Sequence, residues 1–318
     1  MIKVPVYSFP PISRKASLAN LLSTNEEELI QISDNVELYW KPGKSIQKSD
    51  GTIRITNDAK YCLKIIQERI KNRILKEVKF PRYLHGGIAD KNVPRSIYSN
   101  AKEHLGSKVL ICEDIKSFFP STSSLNVNQV WQYFFNFEPE IAKILTSLTT
   151  YKNQLPQGWK TSGYIANLVF WNNEYKLVKL MESNGFKYTR FVDDIIVSSY
   201  RNISVVDKGL IIKSIVNMLA EKGYKLKRPK HQIATRNSQM FINGLLINSG
   251  KISIPRKERK AIRTQVFVLE QEFSINKKTE KYKNKWNSVL GKVARMSVNQ
   301  NAGYKSLKAR LDAIKPEN

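Results

Sequence analysis

Residues 188–199 read Tyr-Thr-Arg-Phe-Val-Asp-Asp-Ile-Ile-Val-Ser-Ser, two adjacent carboxylates set between two runs of β-branched and aromatic side chains. Phe191, Val192, Ile195, Ile196 and Val197 suit a half-buried strand and Asp tolerates a turn, so the stretch predicts a hairpin with its acids at the tip. A solvated turn carries Asp-Asp equally well, so the pair alone defines no chemistry. A second strand-like run, Lys-Val-Leu-Ile-Cys-Glu-Asp-Ile-Lys at 108–116, leads through Asp114 into Ser117, Phe118, Phe119 and Pro120. If the two runs pair, Asp114, Asp193 and Asp194 come together. Carboxylates a few ångströms apart raise one another's pKa, so such a cluster calls for a cation. All-oxygen donors with open positions suit Mg2+, and the arrangement is that of two-metal nucleotidyl transfer.

The charge balance points the same way. The 318 residues carry 53 Lys and Arg against 27 Asp and Glu, a net +26, which exceeds what solubility requires and matches a polyanionic partner. A hydrophobic content of 41% excludes a disordered chain and allows two or three subdomains. Cys62 and Cys112 lack the spacing of a zinc site or disulfide framework, which predicts a reducing compartment and two core cysteines. The first residues lack the apolar segment of a signal peptide, and no apolar run approaches the ~18 residues of a membrane span. The expectation is a cytoplasmic protein with no membrane partner.

Along the chain, a first helix is expected near residue 26, capped by Ser23 or Thr24, with Glu26, Glu27 and Glu28 in its first turn. Two short strands about Asp50-Gly51 carry Lys44, Lys48 and Arg54, readable as an exposed charged edge or as ligand contacts. Residues 57–79 show apolar positions at helical spacing, as do 125–151 and 205–222, the last closed by Gly223. His85 and His104 lie in or near a loop and are open to catalytic or structural roles. The loop ending in Leu155, Pro156, Gln157, Gly158, Trp159 and Lys160 enters a helix capped by Thr161 or Ser162, letting backbone approach a ligand. At 241–248, Asn243-Gly244 marks a turn or bulge between strands. The last 73 residues hold 17 Lys and Arg against 6 Asp and Glu, interleaved with Tyr282, Trp286 and Tyr304. They read as a basic helical region gripping a duplex backbone, or as a solvated helical face.

Taken in order, these motifs resemble the reverse transcriptases, and specifically those of bacterial retrons. Asp114 in Asp-Ile-Lys-Ser-Phe-Phe-Pro-Ser resembles the acid of the first palm motif, 155–162 the second, and Phe191-Val-Asp-Asp194 the paired acids, 79 residues beyond Asp114. Asn100-Ala-Lys-Glu-His104 is similar to the retron Asn-Ala-x-x-His element, and Phe241-Ile-Asn-Gly244 stands where retron enzymes carry Val-Thr-Gly. The match covers roughly 40–260. It implies an α+β right-hand polymerase fold: an N-terminal region and fingers at 1–107, an RRM-like antiparallel palm at 108–245 with a helical insertion about 125–153, and a basic helical thumb at 246–318.

By this resemblance Asp114, Asp193 and Asp194, with the carbonyl of Ile115, hold two Mg2+ ions, and Lys230 serves the pyrophosphate leaving group. Lys48, with Lys44 as the alternative, and Arg54 clamp the triphosphate, Phe119 acts as the steric gate against a ribose 2′-OH, and Gln157 and Gly158 shape the nucleotide pocket. Primer and template contacts fall to Phe191, Asn243, Gly244, Arg256, Lys257, Arg263 and Trp286. The implied substrates are dNTPs and a cognate structured noncoding RNA serving as template and primer, giving a branched RNA–DNA product in an antiviral defence system with an effector protein. Another bacterial or intron-type reverse transcriptase with different priming, and a non-catalytic RNA-binding scaffold, are the alternatives. The chain departs from the family pattern at Phe191-Val192 for Tyr-Ala, Trp159 for a small residue, Gly163 for Pro and Asn243 for Thr.

Overall fold

The computed structural model describes residues 3–47, 51, 53–90, 92–299 and 302–317, and the two strand-like runs pair. Strand β6 (Val109–Asp114) lies antiparallel to β8 (Asp194–Ser199), which is antiparallel to β7 (Phe186–Phe191). With β5 (Leu84–His85) and β9 (Gln232–Thr235) they form a sheet of order β5-β7-β8-β6-β9. The antiparallel expectation holds for the central strands but not for β5, which runs parallel to β7. No hairpin joins β5 to its neighbour, so nothing forces it to reverse.

The described chain divides into two units, Met1–Ser96 with Val109–Ile233, and Ile97–Lys108 with Ala234–Asn318. In the first, both faces of the central strands are covered, and Ile111, Ile195 and Val197 join a core that includes Phe118, Trp131 and Phe170. Its helices are α1 (Lys15–Leu21), α2 (Glu26–Asp34), α3 (Tyr61–Arg73), α5 (Phe118–Ser121), α6 (Ser124–Gln129), α7 (Pro139–Thr149), α8 (Ser162–Leu168), α9 (Glu174–Ser183) and α10 (Val205–Ala220). Helix α10 starts on a reciprocal cap, in which the Ser204 hydroxyl accepts from the Asp207 amide and the Asp207 carboxylate accepts from the Ser204 amide.

Several boundaries differ from the sequence reading. The cap of α2 is Asn25, whose Oδ1 accepts from the Glu28 amide at 2.6 Å, while Thr24 donates its hydroxyl to the Glu28 carboxylate. Residues 57–59 are strand rather than helix: β4 (Asn57–Ala59) pairs with β1 (Trp40–Pro42), and Trp40 Nε1 donates to Asn57 Oδ1 at 2.9 Å. That tertiary pairing overrides the local helical spacing. The short strands about 50–51 form as β2 (Ile46–Gln47) against β3 (Ile53–Arg54). Cys62 is exposed, because Leu63, Ile66 and Ile70 define the inward stripe of α3 and Cys62 falls beside it. Cys112 is half-buried, and burial pushes its thiol up to about 12.

The second unit contains α4 (Ile97–Lys102), β10 (Phe241–Ile242), β11 (Leu245–Leu246), α11 (Arg256–Asn276), α12 (Glu280–Arg295) and α13 (Ala302–Ala313). Strands β10 and β11 are joined by Asn243 and Gly244, both in the left-handed region at φ 48° and 77°, as a type I′ hairpin turn requires. The helices pack through Ile262, Val266, Leu269, Tyr282, Trp286, Val293 and Leu311. Among the described residues no helix is long and apolar enough to cross a membrane.

Candidate active site

The turn between β7 and β8 consists of Val192 and Asp193, so Asp194 opens a strand instead of sitting at the tip. Register places Asp194 directly opposite Asp114, and the Ile115 amide donates to the Asp193 carbonyl at 2.9 Å. The three acids therefore share one end of the sheet. Asp114 is buried, whereas Asp193 and Asp194 are half-buried. The left-handed conformation falls on Val192, at φ 59°, a strained position for a β-branched residue.

A segment whose Lys230 lies 116 residues downstream of Asp114 completes the cluster. Lys227 donates its amide to the Asp114 carbonyl at 2.7 Å and Lys116 donates its own to the Lys225 carbonyl at 2.8 Å, laying 225–227 along the end of β6. The following turn (Arg228–Lys230) brings the Lys230 ammonium onto the Asp114 carboxylate. Burial lowers the pKa of Lys230, but the hydrogen bond and charge of Asp114 and the charges of Asp194 and Asp193 outweigh it, and the net shift is upward. All three carboxylates thus act on one cation. Glu113, on the opposite face of β6, is buried and meets His231 Nδ1 at 2.6 Å.

The donor set fits a hard divalent ion. It is all oxygen and lies at one end of the sheet, with Asp114 opposite Asp194 and the Asp193 carbonyl held by the Ile115 amide. Among the described residues no group of three or more His, Cys, Asp or Glu side chains is arranged to hold a metal ion by itself. Mg2+ is commonly held by one or two carboxylates, with water and substrate phosphate filling its other positions.

The surrounding motifs are tied in through backbone. Phe118 points into the core, stacked on Phe170 with ring centroids 5.9 Å apart, while Phe119 is partly exposed one residue on. The Gln157 carbonyl accepts from the Asn57 amide at 2.8 Å, and Gly158, at φ 111°, lies where a Cβ would fall 2.7 Å from the Asn57 carbonyl oxygen. Trp159 is buried near Tyr151, so its indole serves the core. Gly163 lies against Gly87, where an added Cβ would meet the Gly87 carbonyl oxygen at 2.4 Å, which accounts for glycine at this position. Gly86 in turn lies under the Phe191 ring. Lys44 is exposed and its carbonyl accepts from Thr56 Oγ1; Arg54 lies in β3, and Lys48 falls outside the described residues.

In the second unit the Asn100 side chain donates to Asn243 Oδ1 at 2.7 Å, joining two motifs 143 residues apart. Arg256, Lys257 and Arg263 are exposed on α11. Trp286 is not: it is buried, and its Nε1 donates to the Leu311 carbonyl at 3.0 Å. Tyr282 likewise donates its hydroxyl to the Ile314 carbonyl at 2.9 Å. These aromatics hold α12 to the C-terminal segment and present no face to a ligand.

One group near the site was not singled out from sequence. Arg190, fully buried in β7, donates Nε and Nη2 to the Glu174 carboxylate at 2.6 and 2.8 Å and Nη1 to the Val192 carbonyl at 2.9 Å. Burial by itself would lower its pKa, yet the Glu174 charge and hydrogen bond carry it upward. The signal was present, because Arg190 shares the face of Phe186 and Tyr188 in a period-two strand.

The sheet brings the paired acids and Lys230 together at one end, and comparison with known proteins gives the class and the lineage. Residues 46–283 match the reverse transcriptase (RNA-dependent DNA polymerase) family. The Retron Se72 reverse transcriptase of Salmonella heidelberg is 31% identical over 315 residues, spanning 98% of this chain and 82% of that protein. The Retron Ec48 reverse transcriptase of Escherichia coli is 32% identical over 316 residues, spanning 96% and 77%. The chain belongs to the reverse transcriptase family, with retron enzymes as its relatives, and is an RNA-directed DNA polymerase. Members of this family generally use divalent metal ions, typically Mg2+. A telomerase from Candida albicans in complex with a telomeric RNA fragment aligns with 86% of this chain and 63% of its own, at TM-score 0.46 and 10% identity.

Proposed function

We propose that the chain is a retron reverse transcriptase that copies part of a cognate structured noncoding RNA into DNA, priming from a guanosine 2′-OH of that RNA. The product is a branched RNA–DNA molecule, and the setting is antiviral defence with an effector protein. The observation that supports the chemistry is that Asp114, paired with the Lys230 ammonium, lies opposite Asp194 and beside Asp193 at one end of the sheet. In this reading 108–245 is the palm, 1–107 holds the fingers and 246–318 is the thumb.

Asp114, Asp193 and Asp194, with the Ile115 carbonyl, would hold two Mg2+ ions, which would supply Lewis-acid activation of the primer hydroxyl and charge neutralisation at the α-phosphate. Lys230 Nζ carries a proton and a positive charge to the leaving pyrophosphate. Lys48 and Arg54 grip the triphosphate, with the Arg54 guanidinium suited to bidentate phosphate contact. Phe119 excludes the ribose 2′-OH, and Gln157 and Gly158 bound the nucleotide pocket. Phe191, Asn243 and Gly244 position the primer end, and Arg256, Lys257 and Arg263 neutralise backbone phosphates.

The test is to express the gene with its native flanking DNA, extract nucleic acid and compare the parent with Asp193→Asn. A short DNA joined to RNA, sensitive to debranching and absent from the variant, is expected. Linear DNA would move the priming to another reverse transcriptase lineage. Copurifying RNA with no DNA from the parent enzyme would favour a binding scaffold, and DNA synthesis by Asp193→Asn would overturn the metal assignment.

A further inference from the structure

The catalytic hairpin turns on a residue poorly suited to its conformation. Val192 holds φ 59°, a region that a β-branched side chain seldom occupies, and this is the peptide that directs Asp193 and Asp194. The turn therefore has to be held from outside. On one side the Val192 amide donates to the His85 carbonyl at 3.1 Å. On the other the Val192 carbonyl accepts from Arg190 Nη1 at 2.9 Å.

Arg190 is itself fixed on every side. Its Nε and Nη2 make a two-point contact with Glu174, Nη2 also reaches the Asn167 carbonyl at 3.3 Å, and the guanidinium lies over the rings of Phe170 and Phe118 at 5.2 and 5.9 Å. Glu174 accepts in addition from the Tyr188 hydroxyl at 2.8 Å. A planar guanidinium can serve a carboxylate and a carbonyl in fixed directions at once, which an ammonium at a single point cannot reproduce.

We propose that the buried Arg190–Glu174 pair is a positioning device that holds the strained Val192 turn and so sets the placement of the polymerisation carboxylates. This rests on reading Asp193 and Asp194 as those carboxylates. Arg190 touches neither substrate nor reacting atoms; it acts through the Val192 carbonyl. The clamp also runs outward, since Asn167 Nδ2 donates to the Gly86 and Gly163 carbonyls at 3.0 and 2.8 Å, linking the turn to helix α8.

The experiment compares Arg190→Lys, Val192→Gly and the double variant with the parent, using deoxynucleotide incorporation on a primed RNA template, with near-ultraviolet circular dichroism to verify folding. Arg190→Lys is expected to lower kcat roughly tenfold or more while KM for the nucleotide changes by less than about twofold, because misplaced acids impair chemistry more than binding. Glycine adopts φ near 59° without strain, so adding Val192→Gly to Arg190→Lys should recover about threefold or more of the lost kcat. A role confined to filling the core gives no such rescue. An unchanged kcat in Arg190→Lys, or a loss that Val192→Gly does not move, overturns the proposal. If Arg190→Lys does not fold, Glu174→Gln takes its place in the same comparison, with the same outcomes deciding. Activity retained in Asp193→Asn would instead remove the underlying site assignment, so the two failures are distinguishable.

Discussion

Replacing Gly163 with alanine tests how tightly the active-site support is packed. The new Cβ would lie 2.4 Å from the Gly87 carbonyl oxygen and 3.0 Å from the Gly87 Cα, and contacts below 3.0 Å are essentially never seen, so one backbone must retreat by at least 0.6 Å. Neither partner can rotate away, because both are main chain. Gly87, at φ 70°, continues directly from Gly86, which lies beneath the Phe191 ring, and from His85, whose carbonyl holds the Val192 amide. The displacement is therefore delivered to the hairpin that carries Asp193 and Asp194. Overpacking of this kind costs about 1–3 kcal/mol, offset by at most about 1 kcal/mol from the better helix propensity of alanine. The expected net loss of about 0–2 kcal/mol, centred near 1 kcal/mol, would lower the melting temperature by up to roughly 8 °C at the usual 2–4 °C per kcal/mol. Because an error of about 1 Å in a reacting group costs about a hundredfold, a shift over half that size should lower kcat by roughly tenfold. Thermal melting and steady-state incorporation on a primed RNA template measure both. A variant that melts at or above the parent temperature with unchanged kcat would refute the reasoning, showing that Gly87 yields without moving the hairpin.

Two further perturbations address the pocket and the scaffold. Phe119→Ala should raise the acceptance of ribonucleotides relative to deoxynucleotides by roughly 10–100-fold in kcat/KM, and unchanged sugar discrimination in competition assays would remove its role as a gate. Glu68 is held at about 2 chiefly by its hydrogen bond from Lys71, against a desolvation effect, with Lys160 assisting. Its folded pKa lies below the unfolded value of 4.5, so its contribution is present above pH 4.5 and is lost as the pH falls towards 2. Solvent screening of these partly exposed groups limits that contribution to under about 1 kcal/mol. Acid titration of the melting temperature should be shallower for Glu68→Gln between pH 4.5 and 2, and identical profiles would show that the contact adds nothing.

Local pattern made the acidic end of the sheet readable. Continuous β-branched and aromatic runs around Asp193-Asp194 and before Asp114 specify two strands buried on both faces, and pairing the two runs brings the acids at their ends together. Asn243-Gly244 was legible for a similar reason, since few residue pairs adopt two successive left-handed conformations. The pattern was ambiguous where one signal serves two ends. Tyr282 and Trp286 at helical spacing beside lysines describe a nucleic-acid grip as well as a helix interface, and only the carbonyls of Ile314 and Leu311 distinguish them. Residues 57–59 read as the start of α3 because their partner, β1, lies 17 residues away and local spacing carries no trace of it.

The Arg190–Glu174 contact was the feature near the site least legible in the sequence, and the reason is thermodynamic. A charged residue in a strand is ordinarily placed in solvent, because burying an unpaired ion is costly. Arg190 escapes that rule only through Glu174, 16 residues earlier on a helix, and the pairing exists only after α9 has packed against β7. Buried ion pairs of this kind contribute little net stability compared with a well-packed apolar pair, so stability alone does not account for one here. What an apolar pair cannot provide is a third, directed donor for the Val192 carbonyl. A strained β-branched turn needs that donor and an unstrained turn would not, so the arginine and the valine are physically linked, and each makes sense only in the presence of the other.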